Sequence, residues 1–325
     1  MASPKPLDTG WLSSTKDLFR YVWRTSARAQ LLLTGLAIIV FLLELAPLEL
    51  QRRIVNTAVE AQSYHMIGLL CALYLVVALL QGGLKLVLNI YRGRVIETAC
   101  QRLRLEPKLV AVTTSDKEAR PKEQGVAISV VTSEVDAVGG FLGVSFSDLV
   151  LNGGILLSVF GYMLFLEPWM AAVALALFIP QVLFIPILQK AINRRTAKRI
   201  KTVRGIAVDL VDTTNGNGKR RETTYRRRVG DVYELNMQIY RRKFAMTFLM
   251  NMLYQLGTIG ILFVGGWLLL RGETEVGTVV AFISGLTRTS DPWNDLVDYF
   301  RNLTNAGVKY QLIEQVIGEP GGAAA

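Results

Sequence analysis

The chain has 325 residues, 51% of them apolar, and a formal net charge of +10. The apolar residues fall in runs of about twenty, long enough to cross a bilayer core of about 30 Å, and the basic residues fall in blocks between those runs, a pattern that argues against a soluble nucleic-acid-binding domain. One histidine, His65, and two cysteines, Cys71 and Cys100, leave no framework for a His-based catalytic centre, a metal site or a disulfide scaffold.

Residues 1–10 form a polar leader with two prolines and no apolar core of a signal peptide, so an internal span is expected to enter the membrane. Residues 11–24 set Trp11, Leu18, Tyr21, Val22 and Trp23 among Lys16, Asp17, Arg20 and Arg24. That is the pattern of an interfacial amphipathic helix with aromatic anchors, the alternative being a polar cytosolic helix. A first span is predicted at 31–50, containing Glu44 and Pro47. An ionisable group at such depth is costly unless it faces protein or water. Glu44 is therefore a cavity candidate, unless it and Glu49 lie near enough to the far interface to be hydrated. Arg52 and Arg53, in the loop that follows, are the main exception to a basic bias on one side of the membrane.

A second span is predicted at 67–90, with Lys85 placed to snorkel toward headgroups. Apolar residues return at helical spacing beyond it, through Val95, Ala99, Leu103 and Leu109, so the helix is expected to continue into water. A break at 113–124 contains Pro121. After it, one helix is predicted from about 126 to 165, roughly 60 Å long, with Asp148 and Asn152 as bundle-facing polar members of its membrane half. Residues 166–168 form a tight turn.

A fourth span at 169–188 carries Pro180 and Pro186, and its helix is expected to run on to about 211. Residues 212–218 are a cluster of turn formers, and 225–240 lead back into a fifth span at 244–270. Between Lys190 and Lys243 lie about sixteen Lys and Arg, which place this excursion in the cytoplasm. Gly218 and Lys219 do not make a phosphate-binding loop, because Thr213 and Arg220 stand where glycine and Ser or Thr are required. With no Walker-type motif elsewhere, no catalytic or cofactor-binding residues are expected, and the chain is read as not an enzyme.

The last span is the least hydropathic. Its apolar part covers only 276–286, and beyond it Trp293, Leu296, Val297, Phe300 and Leu303 recur opposite Asp291, Asp295, Asp298, Asn302 and Asn305. Either it spans with one face toward a water-filled cavity, or it is a soluble helix after a re-entrant segment. The fold class that follows is an all-α multi-pass membrane protein.

Three stretches carry a resemblance. They are 125–142 (GVAISVVTSEVDAVGGFL, with Thr132 and Glu134), 218–225, and the run from Val276 through Gly277, Val279, Ala281, Phe282, Pro292 and Leu296 to Ile317. With the order of spans and cytoplasmic excursions, from about 11 to 317, they resemble the transmembrane domain of type I, MsbA-like ABC exporters. The resemblance implies a leader and elbow helix at 1–28, a six-helix transmembrane domain at 29–317 and a frayed end at 318–325. It makes the last helix a cavity-lining span, so that Glu44, Asp148, Asn152, Asp291, Asp295 and Asp298 become the cavity candidates.

It further implies a homodimer or heterodimer in the plasma (inner) membrane with both termini cytoplasmic, moving substrate by alternating access. ATP and Mg would belong to a partner ATPase domain, since the family normally continues into one and this chain ends at Ala325. Coupling-helix candidates are Asp116, Lys117, Glu118, Arg120 and Lys122 in the first excursion, and Asn215, Gly218, Lys219, Arg220, Arg221 and Tyr225 in the second. Both tips are more charged than the family's pattern. Two alternatives remain: an ATP-independent, proton-driven carrier resembling the SbmA and BacA peptide uptake proteins, with Glu44 and Asp148 as relay groups, or a non-transporting scaffold whose basic blocks hold a partner or anionic lipid.

Overall fold

The computed structural model describes residues 10–60, 64–105, 135–211 and 218–318, and all regular structure in them is helical. In chain order the helices are α1 (Gly10–Leu43), α2 (Leu45–Glu60), α3 (Tyr64–Arg104), α4 (Val135–Val144), α5 (Ser147–Leu166), α6 (Pro168–Val211), α7 (Gly218–Leu270) and α8 (Val276–Gly318). They fall into two compact units, one of Met1–Phe165 with Glu275–Ala325, the other of Leu166–Thr274.

Among the described residues, five segments are long and apolar enough to cross a membrane: Leu18–Glu60, Tyr64–Arg104, Ser147–Leu166, Pro168–Thr196 and Tyr225–Leu270. The most apolar window of the α3 segment has none of its residues buried, with Leu69, Leu73, Val76 and Leu79 all exposed. A surface of that kind is what contact with lipid requires and what water disfavours. α8 is not among the five, because one of its faces is a stripe of charge.

In the first unit, the predicted entry helix and first span are one helix bent at Ser26, whose backbone leaves the helical region (φ −142°, ψ 26°). The first span is then interrupted, contrary to expectation, at Glu44. Pro47 has no amide hydrogen to offer the Leu43 carbonyl, so α1 ends there, and the Glu44 amide makes a tight turn onto the Phe41 carbonyl at 3.2 Å. The predicted single helix at 126–165 is likewise broken, at Ser145 and Phe146, and its part before residue 135 lies outside the described residues. A continuous helix would give the carbonyls of Leu142 and Ser145 to amides one turn on. Here Gln30 Nε2 donates to the Leu142 carbonyl and the Tyr299 hydroxyl to the Ser145 carbonyl, both at 2.6 Å, while Ser145 Oγ donates to Gln30 Oε1 at 3.2 Å. The side chains of α1 and α8 satisfy the break, which removes most of its cost in a dry interior.

Around that break lies the apolar core of the unit. Leu18 and Val22 of α1, Ala99 and Leu103 of α3, Val138 and Phe141 of α4, and Tyr299 and Ala306 of α8 pack together. Phe141 stands edge-on to Phe19 with ring centroids 5.8 Å apart, within the range of favourable aromatic pairs.

The second unit is an α-helical hairpin. A Cβ on Gly260 of α7 would meet Val173 Cγ1 of α6 at 2.7 Å, and farther along Arg195 Nε donates to Gln238 Oε1 at 3.0 Å, an order of pairs that makes the two helices antiparallel. At 44 and 53 residues, α6 and α7 extend about 66 and 80 Å, more than twice a bilayer core. α7 ends on a glycine cap: Gly272 takes φ +72°, its amide donates to the Leu269 carbonyl and the Glu273 amide to the Leu268 carbonyl, each at 3.0 Å.

Candidate functional site

Three helices of the first unit turn polar stripes toward one cavity of about 560 Å³. From α3 come Lys85, Leu88, Asn89 and Arg92, from α5 Asp148, Leu151, Asn152 and Ile155, and from α8 Arg288, Asp291, Asp295 and Asp298. Each set recurs every three or four residues, the spacing that puts side chains on one face of a helix. Glu44 reaches the same cavity from the break between α1 and α2. All six cavity candidates therefore share one lining.

The cavity is partly neutralised by its own residues. Glu44 is 6% exposed. Its Oε1 accepts from Arg288 Nη1 at 2.8 Å, its Oε2 accepts from Gln81 Nε2, and Lys85 Nζ lies 3.7 Å from Oε2. Glu44 is thus a buried, paired group of the cavity, and Lys85, for which snorkelling was expected, lines the same cavity. Arg92 Nη2 pairs with Asp148 Oδ1 at 2.5 Å and donates to Ser147 Oγ at 3.2 Å. Asp298 pairs with Arg301 at 3.1 Å. Asp291 and Asp295 have no ion pair among the described residues. Asn152, only 5% exposed, makes no hydrogen bond there and lines the cavity.

The sequence reading did not single out Gln81 or Arg288. The signal for Arg288 was its place three residues before Asp291, on the same stripe.

A second polar cluster joins α2, α5 and α8 elsewhere in this unit. Glu49 Oε1 accepts from Arg53 at 2.6 Å and its Oε2 from Arg52 Nε at 2.9 Å and the Tyr162 hydroxyl at 2.6 Å. Arg52 Nη1 also donates to Glu275 Oε2 at 2.9 Å, Asn56 Nδ2 donates to the same carboxylate, and Asn56 Oδ1 accepts from the Gly277 amide at 2.7 Å. Of the two arginines that broke the charge bias, Arg52 is thus held between two carboxylates, and Arg53 pairs with Glu49.

Of the coupling candidates, Asp116, Lys117, Glu118, Arg120, Lys122 and Asn215 lie outside the described residues. Gly218, Lys219, Arg220, Arg221 and Tyr225 are not a separate transverse helix but the first two turns of α7, which glycine opens without interruption. Among the described residues no three His, Cys, Asp or Glu are grouped to hold a metal ion.

Long apolar helices, crossing more than once, around an internal polar cavity define a multi-pass membrane protein of the transport class. The comparison of families specifies it further. Residues 31–292 match the ABC transporter transmembrane region, so the chain belongs to that family and is a transmembrane, non-catalytic transport domain of an ABC transporter. No individual curated protein matches the chain.

Proposed function

We propose that this chain is one membrane half of a dimeric ABC exporter-type transporter, which moves cargo across the inner membrane by alternating access. The observation that carries the reading is the family match over 31–292, joined to helices more than twice as long as a bilayer core. The basic block between Lys190 and Lys243 favours an orientation in which the α6–α7 excursion and both termini are cytoplasmic. The tips at 115–124 and 215–225 would then receive a cytosolic ATP-binding partner, which supplies ATP and Mg. Binding there drives the bundle only through a difference in affinity between inward- and outward-open packings.

The cavity is the surface on which cargo would dwell. Its volume lies within the range of small-molecule sites. Asp291 and Asp295, which make no ion pair among the described residues, and Asn152, which makes no hydrogen bond among them, favour a cargo that carries positive charge and can accept a hydrogen bond from an amide. The proton-driven alternative has Glu44 and Asp148 in the same cavity, but each is already engaged by an arginine.

The test is transport in proteoliposomes containing the full chain, with and without the ATP-binding partner. ATP-dependent uptake only in the presence of the partner supports the proposal. Transport that persists with no ATPase and stops when the proton gradient is dissipated overturns it in favour of the carrier reading.

A further inference from the structure

A second cavity of the first unit, also about 560 Å³, lies where α1 bends against α3. The bend at Ser26 lays Arg24 to Ala29 along the α3 face formed by Tyr91, Arg94, Val95, Thr98, Ala99 and Arg102. The bend is held locally, with Ser26 Oγ donating to the Val22 carbonyl at 2.9 Å. Four arginines, Arg24, Arg28, Arg94 and Arg102, share this lining and no Asp or Glu does.

Six other arginines of the unit have a carboxylate among the described residues: Arg52 and Arg53 have Glu49, Arg92 has Asp148, Arg104 has Asp136, Arg288 has Glu44 and Arg301 has Asp298. The four in this groove have none among the described residues. Arg102 makes one contact there, to the Thr25 carbonyl at 3.4 Å. Like charges gathered on one groove repel, and an anion bound among them removes that cost.

The floor of the groove is apolar. Val95 and Ala99 are each 8% exposed and Leu142 is fully buried. Its level is set by the sequence on either side: the predicted first span begins at Leu31, shortly after Arg28, and the predicted second span ends at Ile90, just before Tyr91. Guanidinium groups above, an apolar floor below, and a position at the edge of two apolar runs match a phospholipid at the membrane surface. A free anion would satisfy the arginines but gain nothing from the floor.

We infer that the groove between the α1 bend and α3 is a binding site for an anionic phospholipid, its phosphate held by Arg24, Arg28, Arg94 and Arg102 and its glycerol and upper acyl portion lying over Val95 and Ala99. Bound there, the lipid ties the entry helix to the second span. The site does not depend on what the protein transports or on what drives it.

The test uses the purified full chain in nanodiscs of phosphatidylcholine, with phosphatidylglycerol or cardiolipin added, followed by native mass spectrometry of retained lipid and by thermal melting. The wild type is expected to retain the anionic lipid at least tenfold over phosphatidylcholine and to melt at a higher temperature with it. Replacing two of the arginines together, Arg94→Gln with Arg102→Gln, is expected to weaken retention about thirtyfold, at roughly the worth of two basic residues near a charged surface. Arg226→Gln with Arg227→Gln, exposed residues of α7, should leave retention unchanged. Should the glutamine variant fail to fold, Arg94→Lys with Arg102→Lys keeps the charge and loses the planar fork, so intermediate retention with a steep fall in added salt is expected. Equal retention of both lipid types by the wild type, or equal loss in the α7 control, overturns the site. Inorganic phosphate that protects against melting as well as the lipid does overturns the lipid and leaves a free-anion groove.

Discussion

The first unit holds two clusters built from the same chemistry, and they differ in how completely they are paired. In the clasp of Glu49, Arg52, Arg53, Asn56, Tyr162 and Glu275, both carboxylates are shared by at least two donors, and Arg52 joins Glu49 of α2 to Glu275, the residue just before α8. In the cavity, Glu44 and Asp148 are paired, while Asp291, Asp295 and the buried Asn152 have no such partner among the described residues. A closed network fixes one arrangement of helices. An open one keeps hydrogen-bonding capacity for something that is not part of the chain.

Breaking the paired side of the cavity should have the largest effect on stability. Arg288→Ala leaves Glu44 buried with only Gln81 and the more distant Lys85, and the loss of one partner from such a pair costs about 3 kcal/mol. A clear fall in melting temperature of the purified protein is expected, with partial recovery in Arg288→Ala combined with Glu44→Gln. If the single variant melts as the wild type does, the pair is not what holds α8 to the α1–α2 break.

The clasp should come next. A Cβ on Gly277 would run into the Arg52 carbonyl and Asn56 Oδ1, so Gly277→Ala must push α8 away from α2, at about 2 kcal/mol. Removing one hydroxyl is milder: Tyr162→Phe takes a 2.6 Å hydrogen bond from Glu49, but two arginines remain on that carboxylate, and about 1 kcal/mol is expected. Both variants are read by thermal melting. The Arg52–Glu275 contact is partly exposed and present in both proteins, so salt should lower the stability of wild type and Tyr162→Phe alike and leave the gap between them, which belongs to a neutral hydroxyl, nearly unchanged.

These sites also divide what the sequence discloses from what it conceals. The stripe Asp291, Asp295, Asp298 was visible because its spacing is that of one helix face, and Asp148 with Asn152 for the same reason. The long helices α3, α6 and α7 were visible because their apolar periodicity does not stop where the membrane run does. The break at Ser145 was hidden, since Gln30 and Tyr299, which satisfy it, are 115 and 154 residues away from Ser145. The reason Arg52 is tolerated was hidden in the same way, 223 residues off at Glu275. Pro47 was in view, but only as a residue inside the span at 31–50 and not as the end of α1. Local pattern reports faces and lengths, and it cannot report a partner that only the packed bundle supplies.

The unpaired side of the cavity gives the smallest expected change in stability and the sharpest test of the comparison. Asp291→Asn combined with Asp295→Asn removes two like charges one helical turn apart and breaks no ion pair, so melting should stay within about 0.5 kcal/mol of the wild type, on the side of greater stability. In proteoliposomes with the ATP-binding partner, the same variant should lose most of its transport of a cationic cargo and keep that of an uncharged one. Asn152→Leu should weaken both, because a cavity-lining amide that makes no hydrogen bond among the described residues is lost to any cargo that bonds it. If instead the double variant is destabilised as strongly as Arg288→Ala, the two aspartates have structural partners, and the cavity is a clasp like the other.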